Sequence, residues 1–295
     1  NSTIGSDITA GLETRTLLAK SLRSLRRSFT EADEYLKAAT GNIAEETDEA
    51  AFAQALRCQI KYRQALLNAE QECEGLSQLG FQIKAPSVQA FVTHTQSLYL
   101  SREGKHELAE AKAKESTILA QTAADPALIA LTNNWLGVQY NIKHLPKLSL
   151  LHFETAWDAV ESLDLPELKH AIRFNNAAVY AQLSRHSEAL PIFEEALNWQ
   201  ALKVSDTNVL ILHSAMSYSL TAAGQAARAE KMLADLIPVH FNKVQDDTKI
   251  LLYDALAQTQ LAQNKLPLAL ENFGRAIDLF DKSAPVPNPR GLATL

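Results

Sequence analysis

A chain of 295 residues, 46% apolar and 21% charged, can bury a substantial core, which excludes wholesale disorder. Its net charge of −6 and pI near 5.8 weigh against general nucleic-acid binding, and no apolar stretch approaches the roughly 18–20 residues that span a bilayer as a helix. Ten Gly and ten Pro leave few loop formers, and the Ala/Leu/Glu/Lys/Gln-rich stretches between them predict helix almost throughout.

The chain opens Asn1-Ser2-Thr3, with no initiator Met and no charged-then-apolar leader, so the expectation is a processed protein or a portion of a longer one. The first helix carries Arg15, Lys20, Arg23, Arg26 and Arg27, with Leu18, Leu22, Leu25 and Phe29 along its other side. Two readings stay open: a docking face for an anionic partner or membrane surface, and the polar outer face of a capping hairpin. Glu31, Asp33 and Glu34 follow directly and neutralise part of the positive field. Cys58 and Cys73, fifteen residues apart, match neither a CxxC redox motif nor a zinc knuckle. As free thiols they fit a reducing compartment, and a cytoplasmic location is the expectation. A single bridge in an oxidising compartment, with the chain as a periplasmic sensor domain, is the alternative.

Internal periodicity organises everything that follows. A column of small residues steps by forty through Ala69, Ala109, Ser149, Ala189, Ala229 and Ala269, with Ala32 opening a slightly shorter first unit. Four residues further on stand Cys73, Ala113, Phe153, Phe193, Leu233 and Phe273, with Leu36 in the first unit. Three beyond these come Leu76, Ser116, Ala156, Ala196, Leu236 and Ala276. Twelve residues before the first column the chain reads Arg57, Ser97, Gly137, Ala177, Ser217 and Ala257, and three later Ile60, Leu100, Tyr140, Tyr180, Leu220 and Gln260. Pro86, Pro126 and Pro166 keep the same step, and the next two land on Asp206 and Asp246. Proline at a helix's first turn loses no hydrogen bond, and Asp there suits the helix dipole. Each unit therefore predicts two antiparallel helices around a tight turn, in the fourth unit from Pro126 to about Lys143 and from Pro146 to about Asp164. One hairpin cannot bury both of its faces, so stacking in series is the stable solution.

Leu136-Gly137-(x)2-Tyr140 followed by Ser149, Phe153 and Ala156 resembles the tetratricopeptide repeat, and Leu256-Ala257 with Ala269, Phe273 and Ala276 does so again. Arg57 at a small position, Gln260 at an aromatic one and Asn176 at an apolar one depart from that pattern, and the period is forty rather than the family's usual thirty-four. The resemblance implies an all-α, right-handed superhelical solenoid of about seven antiparallel helix hairpins over residues 5–284. Its units run about 5–45, 46–85, 86–125, 126–165, 166–205, 206–245 and 246–284, and 285–295 form a proline-rich tail or linker. The last unit ends in Ile277, Leu279 and Phe280, an apolar set to be covered either by the tail, through Val286 and Leu292, or by a docked domain.

No catalytic motif emerges: Gly104-Lys105 lacks the upstream glycine of a phosphate loop, and GxGxxG, HExxH, GxSxG and calcium-loop patterns do not occur. His106 and His186 share a column at the start of second helices and read as structural; Glu45-Glu46 and Glu194-Glu195 read as solvated faces. The chain is therefore expected to be no enzyme and to hold neither metal nor cofactor. Cys73, in the core column, reads as a buried thiol. In the resembled fold the first helices line a concave groove. Carried over residue by residue, that gives Gln54, Cys58, Lys61 and Tyr62, then His94, Ser101 and Arg102, then Asn134, Val138 and Asn141. Phe174, Asn175 and Gln182 follow, then Ser214, Tyr218 and Thr221, and last Asp254 and Gln258. The lining is polar, amide-rich and nearly uncharged, suited to a peptide backbone with Tyr62, Phe174 and Tyr218 as anchors. The paired Lys and Asn with which chaperone-binding members grip a carboxylate are not matched, since Ala181, Gln182 and Thr221 stand where basic residues would be wanted. The expected function is a non-catalytic module that recognises a protein, peptide or small signal, as the regulatory part of a larger bacterial signalling or transcription-regulating protein. A fused effector domain is then a further partner, and direct nucleic-acid contact is not expected. The alternative is a stand-alone scaffold or adaptor.

Overall fold

The computed structural model describes residues 34, 36, 38, 47–63, 73–76, 83–198 and 206–283. The basic first helix, the side chain of Tyr62 and the tail with Val286 and Leu292 lie outside the described residues. Eleven α-helices are present among the described residues, and no strand: α1 (Asp48–Arg63), α2 (Pro86–Arg102), α3 (His106–Thr122), α4 (Pro126–Ile142), α5 (Pro146–Val160), α6 (Pro166–Gln182), α7 (His186–Leu197), α8 (Asp206–Ala222), α9 (Ala226–His240), α10 (Asp246–Ala262) and α11 (Leu266–Ser283). The fold is all-α, of the helix-hairpin solenoid class that the repeat predicts. Two compact units divide the chain, one up to Gln139 and one from Tyr140 on.

The punctuation column does what its chemistry dictates. Pro86, Pro126, Pro166, Asp206 and Asp246 each open the first helix of a pair. Ahead of α4, the Asp125 carboxylate accepts hydrogen bonds from the Ala127 and Leu128 N–H groups at 2.9 and 3.1 Å, satisfying donors that the first helical turn leaves open.

The turns inside the pairs share one backbone solution. Gly104, His144, Ser184, Gly224 and Asn264, forty residues apart, all have positive φ, between 56° and 78°. In every case the next residue's N–H reaches back to the carbonyl five positions earlier: Lys105 to Leu100, Leu145 to Tyr140, Arg185 to Tyr180, Gln225 to Leu220 and Lys265 to Gln260, at 2.8–2.9 Å. This is the Schellman arrangement, in which a left-handed residue closes the helix. Glycine enters that region without the side-chain clash that His and Ser carry. His144→Gly and Ser184→Gly should therefore each raise the unfolding free energy by about 1 kcal/mol, read as a higher denaturant midpoint. An unchanged or lower midpoint would contradict the turn assignment.

The repeating columns are the core. Ser97 and Ala109 are fully buried where α2 meets α3, and Ser97 Oγ donates to the Ala109 carbonyl at 2.6 Å. Ala177 with Ala189, Ser217 with Ala229, and Ala257 with Ala269 are buried in the later pairs α6–α7, α8–α9 and α10–α11. Side chains this small let two helix backbones approach closely. Phe193 on α7 lies in a cluster with Phe174 and Ala177 of α6 and with Leu212, Met216 and Leu220 of α8, so one ring joins a hairpin to the next. Leu233 does the same between α9 and α10, against Leu252, Ala255 and Leu256. On α11, by contrast, Leu270, Ile277 and Phe280 are exposed.

Of two departures from the pattern, one has a physical account. Gln260, at the aromatic position, accepts from Asn272 Nδ2 at 2.9 Å and donates to Glu230 at 3.3 Å. Glu230 is also held by Gln263 at 2.8 Å and Lys265 at 2.5 Å, so this buried amide sits in a connected polar network. Asn176 is buried with no hydrogen bond to its Oδ1 among the described residues, and nothing in the structure accounts for it.

The cysteines correct the sequence reading. Cys58 and Cys73 are not free thiols; they form a disulfide with Cα atoms 5.1 Å apart. The bond is buried among Ala51, Ala55, Leu76 and Val92, so it joins α1 to residues 73–76 and is roofed by α2.

Candidate binding face

The first helices pack side by side: α1 with α2 in the first unit, and α6 with α8 and α8 with α10 in the second. In the first unit the contact is both apolar and polar, with the Phe52 and Phe91 rings 4.8 Å apart between centroids. Gln59 Nε2 donates to Thr95 Oγ1 at 2.8 Å, and Thr95 in turn donates to the Phe91 carbonyl. From α4, Trp135 Nε1 donates to Ser97 Oγ at 2.7 Å and, one turn on, Gln139 Nε2 to Ser101 Oγ at 3.2 Å. These bonds add register to the packing between neighbouring hairpins. Sequence reasoning had Ser101 on the face and read Ser97 only as a small residue. It missed Gln59, Trp135 and Gln139, although their separations of 36 and 38 residues from their partners, close to the repeat, were available as a signal.

The expected groove residues divide by burial. His94 is 3% exposed and meets Trp135 edge-on, ring centroids 6.3 Å apart. Phe174 is 8% exposed and packs on Phe193 at 6.0 Å, which makes it a core ring rather than an anchor standing open for a ligand; Asn175 beside it is also buried. Gln54, Lys61, Arg102, Asn134, Asn141, Tyr218 and Asp254 are half-buried. Gln182 and Gln258 are exposed.

Two of these residues, on neighbouring helices, are in direct contact. Tyr218 Oη on α8 donates to Asp254 Oδ2 on α10 at 2.5 Å. Burial first, then the hydrogen bond to Asp254 and its charge, push the Tyr218 phenol far above its ordinary range, so it remains a donor at any physiological pH. Thr221, one turn on, meets Thr259 at 3.3 Å, and Gln258 lies one turn beyond Asp254. The second unit also carries ordinary surface ion pairs, Arg173 to Glu195 at 2.7 Å and Arg228 to Glu194 at 2.8 Å, which account for the paired glutamates.

No family model and no curated protein matches the sequence. Solved structures do. A signal transduction ATPase with numerous domains from Pyrococcus horikoshii, described as having a tetratricopeptide repeat sensor, matches 91% of this chain and 42% of its own with a TM-score of 0.64 at 15% identity. The chain has the tetratricopeptide repeat fold. Within that fold, the apo form of the quorum sensor NprR from B. thuringiensis aligns over 97% of this chain and 78% of its own, with a TM-score of 0.70 and 14% identity. A Rap protein complexed with Competence and Sporulation Factor aligns over 92% and 77%, with a TM-score of 0.73 and 12% identity. At such identities the tetratricopeptide repeat architecture is what is shared. Among the described residues, no helix is long and apolar enough to cross a membrane.

Proposed function

We propose that this chain is a non-catalytic recognition module whose first-helix face takes up a peptide or an extended protein segment. The likeness over nearly the whole chain to a quorum sensor and to a factor-bound Rap protein carries this reading. The chemistry of the face supports it: amide and hydroxyl groups at one-turn spacing on α8 and α10 suit the regularly spaced donors and acceptors of a peptide backbone. Gln54, Lys61, Tyr62, Arg102, Asn134, Asn141, Gln182, Tyr218, Asp254 and Gln258 are the proposed contact residues, with His94, Phe174 and Asn175 packing behind them.

In this reading residues 5–284 form one module of seven hairpins, and 285–295 are a spacer to an effector domain of a bacterial signalling or transcription-regulating protein. The buried Cys58–Cys73 bond turns the expected location from the cytoplasm toward an oxidising compartment such as the periplasm. The test is selection of linear peptides on the pure chain, followed by mapping of where the selected peptide sits. A peptide bound on the first helices supports recognition. Folded proteins captured with no linear peptide enriched would favour a scaffold.

A further inference from the structure

Four carboxylates among the described residues of the second unit are half-buried: Asp206, Glu230, Asp246 and Asp254. Three have a basic partner. Asp206 is bonded to His240 at 2.5 Å with Lys243 at 3.6 Å, Glu230 to Lys265 at 2.5 Å, and Asp246 to Lys249 at 2.8 Å. Asp254 has Tyr218 alone, and no ion pair among the described residues includes it. A half-buried carboxylate has lost part of its hydration, and a neutral phenol returns only part of what is lost. One turn before Tyr218 on the same face, Ser214 Oγ is fully buried and has no hydrogen-bond partner among the described residues, a polar atom left unsatisfied beside the pair. One turn beyond Asp254, the exposed Gln258 amide offers a carbonyl. A carboxylate without a basic partner, an unsatisfied hydroxyl and an exposed amide therefore sit together on neighbouring helices.

We propose that Asp254, oriented by Tyr218 and flanked by Ser214 and Gln258, is the site that receives a cationic group, an ammonium or guanidinium, from the ligand of the first-helix face. This rests on the peptide-recognition reading and adds the charge of the residue recognised. Tyr218 is a positioning residue: its hydrogen bond holds one carboxylate oxygen and leaves the other for the cation. Among the described residues no group of three or more His, Cys, Asp or Glu side chains is disposed to hold a metal ion, which favours an organic cation over an inorganic one.

The probe is a blocked tripeptide, acetyl-Gly-Lys-Gly-amide, compared at constant ionic strength with its Nε-acetyl-lysine counterpart and with calcium chloride, by amide NMR titration of the full chain. The charged peptide is expected to give saturable shifts on α8 and α10 around Tyr218, Asp254 and Gln258, and the neutral one none. Asp254→Asn keeps an acceptor for Tyr218 and should bind the charged peptide about tenfold or more weakly. Gln258→Glu, at an exposed position beside it, should bind it more tightly and serves if Asp254→Asn melts early. Equal shifts with both peptides would overturn the cation site while leaving peptide recognition standing. No shifts with either, an unchanged affinity in both variants, or saturation by calcium alone would also overturn it.

Discussion

Replacement of Phe193 by Ala is expected to lower the unfolding free energy by about 3–5 kcal/mol, the range for removing a buried aromatic ring. The ring is 0% exposed and touches both helices of its neighbourhood, Phe174 and Ala177 on α6 and Leu212 and Met216 on α8. Those contacts belong to two hairpins, so the cavity would open at the joint between them, where α7 packs on α8. Repacking cannot close it, because Ala177, Ala189 and Ala196 around it are already small. Phe273, two repeats further along the same column, is only half-buried, and Phe273→Ala should cost less. Urea denaturation followed by circular dichroism reads both; a Phe193→Ala variant within about 1 kcal/mol of the parent would show that the column does not join hairpins.

Loss of the Cys58–Cys73 bond should cost about 3 kcal/mol, the loop-closure value for a bridge that closes some fifteen residues. The effect should be local, since each hairpin of a stack leans only on its neighbours. Chain made in an oxidising compartment should therefore resist alkylation at both cysteines until it is unfolded and reduced, because both are almost wholly covered. Once reduced, or as the Cys58→Ser/Cys73→Ser variant, it should melt earlier with early loss of the α1–α2 region. Two thiols that alkylate without reductant would place the chain back among proteins of reducing compartments and remove the argument about location.

Much of the fold was legible because a stacked hairpin imposes the same demands every forty residues. Ala109, Ala189 and Ala229 have to be small where two helices meet, and Phe193 or Leu233 has to be large where two hairpins meet, so chemistry repeats with the period. The turn column was not legible for the opposite reason. Gly104, His144, Ser184, Gly224 and Asn264 share a backbone conformation and almost no chemistry. The face was partly legible. The resemblance implied Tyr218 and Asp254 on it, yet a carried-over position cannot tell a ring that stands outward from one drawn inward by a neighbour, as Phe174 is by Phe193. Nor can it show that one carboxylate of these four has no basic partner among the described residues, since that depends on what other helices bring. The disulfide lay in the same blind spot: two cysteines fifteen residues apart become a pair only once the hairpin has folded.

The most direct measurement of the central claim is hydrogen exchange of the chain alone and with a peptide selected on it. Recognition by the first-helix face predicts added protection in α2, α4, α6, α8 and α10, strongest around Tyr218 and Asp254, with α3, α5, α7 and α9 nearly unchanged. Protection confined to those second helices, or to the exposed apolar side of α11, would contradict it.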